Sequence, residues 1–169
     1  MITYRLADAL PAAVVCDCKS AKDPAERRKR LEASLDAGYG SCLLRRADIA
    51  TTVVENWERF HGARYGLLAW VVMPNHVHVL VEIYPSHPMS RVVHSWKSYT
   101  AKAIARRTSH PGKVWQEDYW DRAIRSEKHF AAAVDYIVSN PVAAGLVVRP
   151  EDWPWSSARA AGGPPALPG

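Results

Sequence analysis

Two histidines separated by a single residue are the first side chains in this sequence whose types and spacing point to chemistry. They open the run His76-Val-His78-Val-Leu-Val-Glu82, in which polar and apolar residues alternate. Alternate side chains of a β-strand share a face, so the two Cα atoms would lie about 6–7 Å apart and the imidazoles could converge on one metal ion. An ordinary pair of half-exposed strand histidines has the same pattern, so a metal site requires further ligands.

Tyr136 and Asn140 are candidates to complete such a site. They stand four residues apart, at the end of a predicted helix at 127–139, and side chains at this spacing project on the same side. Asn140 comes just before Pro141, where the helix is expected to end. Tyr136 lies off the apolar stripe of this helix, so an ordinary boundary tyrosine is the alternative. Glu82, farther along the histidine face, is a weaker candidate ligand.

The elements that would position these side chains follow from apolar periodicity. Helical spacing predicts helices at 25–37, 49–60 and 90–107, and the apolar runs at 65–73 and 76–83 predict two strands joined by a turn at Pro74. Helices interleaved with a hairpin favour an α+β fold, in which an antiparallel sheet carries helices packed mainly on one face. We expect one domain over residues 1–160 and a flexible Gly- and Pro-rich tail at 161–169.

Basic residues suggest a nucleic-acid partner. The net charge is +5 and the isoelectric point is about 9.2. Candidate phosphate contacts lie in the predicted helix at 90–107 and just before the tyrosine helix: Arg91, Lys97, Lys102, Arg106, Arg122 and Arg125. Solvated helix charge is the competing interpretation for these residues.

Aromatic residues cluster between the last two predicted helices. Trp115, Tyr119 and Trp120 would stack on unpaired bases if they are exposed, and would otherwise pack in the core. The sequence leaves both interpretations open.

The remaining composition indicates a protein of the cytoplasm. No apolar run approaches the roughly 18 residues of a membrane span. Three cysteines, Cys16, Cys18 and Cys42, cannot form a closed disulfide framework, so we expect free thiols in a reducing compartment. No glycine-rich phosphate loop or dinucleotide fingerprint is present, so no nucleotide cofactor is expected.

Several segments together resemble a known family. The run from Trp70 to Glu82 is similar to the His-hydrophobic-His motif of the single-tyrosine (HUH) transposases, which are IS200-like. Four further segments resemble the REP-associated tyrosine transposases in the same order: 95–99, 114–125, 135–147 and 152–157. The similarity extends from about Thr3 to Arg159.

The resemblance implies a specific site. It places a magnesium or manganese ion on His76 and His78, a third polar ligand on Asn140 and a nucleophile on Tyr136. It also implies a ferredoxin-like sheet and a substrate of single-stranded DNA folded into palindromic hairpins. Cleavage would leave a 5′-phosphotyrosine. The resemblance leaves the oligomeric state open, since such proteins include dimers and monomers, and the short segment between Tyr136 and Asn140-Pro141 favours a monomer over a swapped arm.

Two other functions are compatible with the same residues. A domesticated binding protein would hold DNA hairpins without moving them. A metal-dependent phosphodiesterase would use water as its nucleophile, and Tyr136 would then only pack.

Overall fold

The computed structural model describes residues 1–20, 22–109 and 112–159. Its strands and α-helices follow the order β1 (Ile2–Arg5), α1 (Ala12–Ser20), α2 (Pro24–Asp36), α3 (Ala47–Glu58), β2 (Tyr65–Val72), β3 (His76–Ile83), α4 (Met89–Arg107), β4 (Trp120–Asp121) and α5 (Glu127–Ala143). The helices predicted at 25–37, 49–60 and 90–107 match α2, α3 and α4 to within two residues at each end. The predicted domain boundary at 160 and the tail at 161–169 lie outside the described residues.

The four strands form one sheet with the order β2-β3-β1-β4. All three neighbouring pairs are antiparallel. Helices connect β1 to β2 and β3 to β4, so each connection skips over one strand, which is the ferredoxin-like arrangement. The predicted α+β class and antiparallel sheet are therefore confirmed.

The expected helical layer lies on the face that carries the β3 valines. Val77 and Val79 are fully buried there with apolar residues of α3 and α4. Two indoles fix the helices to the strands: Trp57 Nε1 of α3 donates to the Tyr4 hydroxyl at 3.1 Å, and Trp96 Nε1 of α4 donates to the Tyr65 hydroxyl at 2.8 Å. Both buried indoles thus satisfy their single donor while packing in the core.

The opposite face, which carries the histidines, is covered as well. Helix α5 packs against β2 and β3, and its Phe130 and Ile137 share a second core with Val71 and Leu80. The C-terminal end of α2 reaches the same face near His76. The helices therefore extend beyond the predicted one-sided layer, because the apolar stripe of α5 also has to be buried.

Helix α5 continues past its predicted end at residue 139 and includes Pro141. Pro141 removes one backbone donor but does not stop the helix, because Ala144 N still donates to Asn140 O at 2.9 Å. The helix ends at Ala143, and Gly145 just beyond it has a φ of +68°, which is readily adopted only without a side chain. Asn140 consequently lies inside the helix and is held rigidly.

The segment after α5 protects the free edge of β2. Val72 N donates to Trp155 O at 2.9 Å, and Trp153 Nε1 donates to Val72 O at the same distance. The segment Trp153-Pro-Trp155 thus covers an edge that would otherwise expose unpaired backbone groups.

Candidate active site

The side chains of His76 and His78 converge on the sheet face that α5 and the end of α2 cover. Their Nε2 atoms lie 3.1 Å apart, and each residue is 1% exposed. The interpretation of the pair as half-exposed strand histidines is therefore wrong. Two ligand atoms that bind one ion at about 2.1 Å and at a right angle to each other would be about 3 Å apart. The spacing of the two nitrogens thus fits a shared cation.

The tautomer of His76 is fixed by its neighbour Asn75. The Asn75 amide Nδ2 donates to Tyr39 O at 3.0 Å, so its Oδ1 is the atom that lies 2.8 Å from His76 Nδ1. An amide oxygen can only accept, so His76 Nδ1 carries the proton and the neutral ring has its lone pair on Nε2. The ring therefore presents a lone pair to His78.

His78 is oriented from the adjacent strand. Thr3 stands opposite His78 in the register of β1 and β3, and its hydroxyl lies 2.7 Å from His78 Nδ1. Such a partner on the remote nitrogen fixes the ring of a metal-binding histidine and directs Nε2 toward the ion. Thr3 was not a sequence candidate, because only the strand pairing reveals its position.

Burial keeps both imidazoles neutral. Desolvation lowers the pKa of His78 to about 3, and desolvation together with His78 lowers the pKa of His76 well below 6.5. Both rings are therefore available as ligands at neutral pH without first losing a proton.

The lowered pKa values of the two histidines predict that the metal-free protein is sensitive to acid. The unfolded histidines bind protons below about pH 6.5 and the folded ones do not, so stability is retained above that pH and is lost as the pH falls toward 3. We expect the free energy of unfolding to drop by up to about 1.4 kcal/mol per pH unit for each histidine. Urea unfolding of the wild type and of His78→Asn between pH 7.5 and 5 measures the drop as a difference, because Asp36, whose raised pKa contributes with the opposite sign, is common to both. His78→Asn should flatten the dependence, and an unchanged slope would contradict the assignment.

Tyr136 lies next to the histidine pair. Its ring centroid is 5.2 Å from that of His78, and the two rings meet at 73°. The residue is half-buried, and burial, followed by the carboxylates Glu32 and Asp36, raises the pKa of its hydroxyl above 10, whereas hydrogen bonding to Asn140 opposes this rise. The hydroxyl is therefore protonated at neutral pH, and a nearby cation would lower its pKa.

Asn140 lies one turn after Tyr136 and is 3% exposed. Its Oδ1 is buried and has no hydrogen-bond partner among the described residues. Such an oxygen is costly unless a ligand uses it. Within the same residues, no three His, Cys, Asp or Glu side chains are grouped as a metal site.

Helix α2 adds charged groups that the sequence did not single out. Asp36 Oδ1 lies 3.8 Å from His76 Nε2, and burial, followed by Glu32, raises the pKa of Asp36 to about 6. Arg28 acts electrostatically on both Glu32 and Tyr136. The separation of α2 from the histidines in the sequence is the reason these residues were missed. Glu82, by contrast, is exposed at the far end of β3 and does not join the site.

The basic residues of α4 do not reach the site. Arg91, Lys102 and Arg106 are exposed, but α4 packs on the valine face, across the sheet from the histidines. Lys97 donates to the backbone oxygen of Glu117 instead. Phosphate contacts by these α4 residues stay a prediction, and they would involve DNA on the sheet face opposite the histidines, because this connection passes over the valine face.

Trp115 is a core residue, which corrects its assignment to DNA binding. It is 5% exposed, its Nε1 donates to Thr100 Oγ1 at 2.9 Å, and its ring meets Tyr4 edge-on at 4.9 Å. Nearly all of the indole surface is therefore taken up by core contacts.

Arg122 and Arg125 are exposed between β4 and α5, on the side of the tyrosine helix. Arg122 acts electrostatically on Glu32, and both arginines act on His129. Both arginines therefore lie in the connection that leads into the tyrosine helix. Trp120 is also exposed, whereas Tyr119 is half-buried against the first core.

Comparison with known proteins identifies a family to which this chain is similar. The model described as Transposase IS200 like matches residues 48–140. A REP-associated tyrosine transposase of Escherichia coli strain K12 is 34% identical over 91 residues, which cover 53% of this chain and 52% of that protein. The chain thus matches about half the length of this curated relative.

A solved structure supports the fold. The structure described as the REP-associated tyrosine transposase bound to a REP hairpin has a TM-score of 0.59 and 22% identity, and covers 94% of this chain and 75% of that one. No helix among the described residues is long and apolar enough to cross a membrane. Because the family model spans more than half of the sequence, including the histidine pair, Tyr136 and Asn140, the chain belongs to the IS200-like transposase family.

Proposed function

We propose that this protein is a metal-dependent single-stranded DNA endonuclease and strand transferase that cleaves palindromic hairpin DNA through a 5′-phosphotyrosine. One observation carries the proposal: the two histidine Nε2 atoms converge to 3.1 Å beside the tyrosine of the family motif. A purely structural histidine pair would not require a hydroxyl nucleophile and an unpartnered amide oxygen next to it.

The residues present fit a divalent ion. His76 and His78 would bind it through Nε2, and Asn140 would contribute its unpartnered Oδ1. Three neutral donors leave the remaining positions for phosphate oxygens and water, and an imidazole pair favours manganese over magnesium, although either is compatible. When bound, the ion would neutralise charge on the phosphate oxygens.

Tyr136 would be the nucleophile. Its Oη forms a bond to phosphorus while the bond from phosphorus to the 3′ oxygen breaks, which leaves phosphotyrosine on the 5′ side and a 3′-hydroxyl. The phenolic proton leaves Oη, and a proton is taken up by the departing 3′ oxygen. The rigid helix α5 positions the ring beside His78, and this alignment reduces the entropic cost of attack. The covalent bond retains the energy needed for later joining.

Two observations support the proposal that hairpin DNA is the substrate: a solved relative and the exposed positive charge near α5. The solved relative is bound to a REP hairpin. Exposed Arg122 and Arg125 flank the start of α5 and would hold backbone phosphates.

Salt dependence tests this contact surface. We expect hairpin affinity to fall steeply with salt, and the slope of log affinity against log salt should shrink by about 0.7 for each single-strand phosphate contact removed by Arg122→Ala or Arg125→Ala. Titration at several salt concentrations measures the slope. Arg106→Ala, on the opposite face, is the matched control. An equal effect of all three variants would contradict the placement.

Adduct trapping tests the proposed reaction. Protein incubated with manganese and labelled hairpin DNA should give a slower band on a denaturing gel, and peptide mapping should place the nucleotide on Tyr136. A hairpin-binding protein without transposition activity would give binding but no cleavage. A water-using phosphodiesterase would give cleavage but no adduct.

We also propose that the protein acts as a monomer in the cytoplasm. Helix α5 packs on the sheet of its own chain, and its tyrosine meets the histidines of that chain, so a site can form without a second copy. Cys16, Cys18 and Cys42 are free thiols, which suits a reducing compartment.

A further inference from the structure

Trp120 is an exposed aromatic residue on the histidine face of the sheet edge. It is 38% exposed, which is unusual for so large an apolar side chain. In the register of β1 and β4 it stands opposite Thr3, the residue that contacts His78. Residues opposite each other in an antiparallel pair project on the same face, so the indole lies on the histidine side of the sheet.

A cavity of about 310 Å³ connects Trp120 with the surroundings of the site. Its lining includes Thr3, Glu32, Arg28 and Arg122. Thr3 contacts His78, and Glu32 interacts electrostatically with Tyr136. This cavity therefore borders the candidate active site. The lining carries three arginines, Arg27, Arg28 and Arg122, against the carboxylates Glu32 and Asp121, so one positive charge is in excess and could face a phosphate.

A second cavity of about 260 Å³ lies against Trp120 and is lined by Arg5, Gln116 and Asp118. Arg5 is only 8% exposed, yet its Nε has no hydrogen-bond partner among the described residues. Its guanidinium carbon lies 6.0 Å from the centroid of the Trp120 ring. A buried donor left without a partner is costly, which indicates that a ligand acceptor uses it.

We propose that this pair of cavities binds one unpaired nucleotide next to the scissile phosphate, with its base stacked on Trp120. The base edge would meet Arg5, Gln116 and Asp118, and the adjoining phosphate would meet Arg28 and Arg122. This inference rests on the proposed function, because it assigns part of the same DNA substrate to a position beside the reaction centre.

The chemistry favours an unpaired nucleotide over duplex DNA. An aromatic face stacks on a base only if the base has left its own helix. The Arg5 donors require an acceptor, and Gln116 and Asp118 can accept from an exocyclic amine, so a base with both kinds of group on its edge fits best. Duplex DNA exposes its phosphates but not the flat face of a base.

Abasic scanning tests the assignment. Wild-type affinity is measured for one hairpin with unpaired arms, for the same hairpin without arms, and for armed hairpins that lack a single base. At one arm position, removal of the base should weaken wild-type binding by about 5- to 150-fold, the range of one base–aromatic stack. Trp120→Ala should show the same loss on the intact armed hairpin and no further loss at that abasic position.

Matched variants separate stacking from folding. Trp120→Phe keeps an aromatic face and should retain most of the affinity. Tyr99→Ala removes another exposed aromatic, on α4 across the sheet, and should leave the abasic profile unchanged. The inference is overturned if no arm position responds in the wild type, or if Trp120→Ala keeps the wild-type profile. Adduct formation by the wild type tests the proposed reaction independently, so failure of the nucleotide pocket and failure of the reaction can be told apart.

Discussion

Tyr136→Phe is expected to abolish the covalent adduct while leaving hairpin binding close to wild type. The substitution removes one hydroxyl and retains the ring that meets His78 at 5.2 Å. Phosphate contacts, which dominate affinity, are untouched. Because the lost hydroxyl is half-buried, the free energy of unfolding should change by only about 1 kcal/mol.

The measurement combines a denaturing gel for the adduct with a gel shift for binding. Tyr99→Phe, at an exposed tyrosine on α4, is the control and should form the adduct normally. If Tyr136→Phe still cuts the hairpin, water is the nucleophile. Tyr136 would then be a packing residue, and the histidine pair would be the remaining catalytic assignment.

His76→Ala and His78→Ala should each reduce cleavage by about a hundredfold or more, with most hairpin affinity retained. Loss of one of two imidazole donors removes the charge neutralisation that the ion supplies, an effect of several kcal/mol on the barrier. His78→Ala also leaves the Thr3 hydroxyl without its imidazole partner, so about 1–3 kcal/mol of stability is at risk.

Single-turnover cleavage in manganese, with thermal unfolding as the check on folding, measures these effects. His94→Ala, at an exposed histidine of α4, is the matched control and should cut at the wild-type rate. Undiminished cleavage by both folded histidine variants would rule out the metal assignment.

Local patterns in the sequence were sufficient to predict the strand and the helix that carry the candidate site residues. The alternation around His76 and His78 reports which side chains share a strand face, and this depends only on the backbone repeat. Helical spacing likewise placed Tyr136 and Asn140 on one helix. The two motifs, far apart in the chain, were connected by family resemblance and not by geometry.

The tertiary structure decided which residues surround that centre. Thr3 and Asp36 reach the histidines through strand pairing and helix docking, and neither contact leaves a trace in local sequence. The same helical periodicity that predicted α4 cannot tell which sheet face the helix covers, so only the tertiary structure shows that its basic residues lie across the sheet from the histidines.

The sequence also could not predict which of the tryptophans are buried. Trp115 and Trp120 stand in one motif, but Trp115 packs in the core and Trp120 is exposed at the edge. A residue's exposure depends on what packs above it, and that is set by the whole chain. The sequence by itself thus determined the chemistry available on the histidine strand and the tyrosine helix, whereas only the packing of distant elements decided which side chains share the site and which of them DNA can reach.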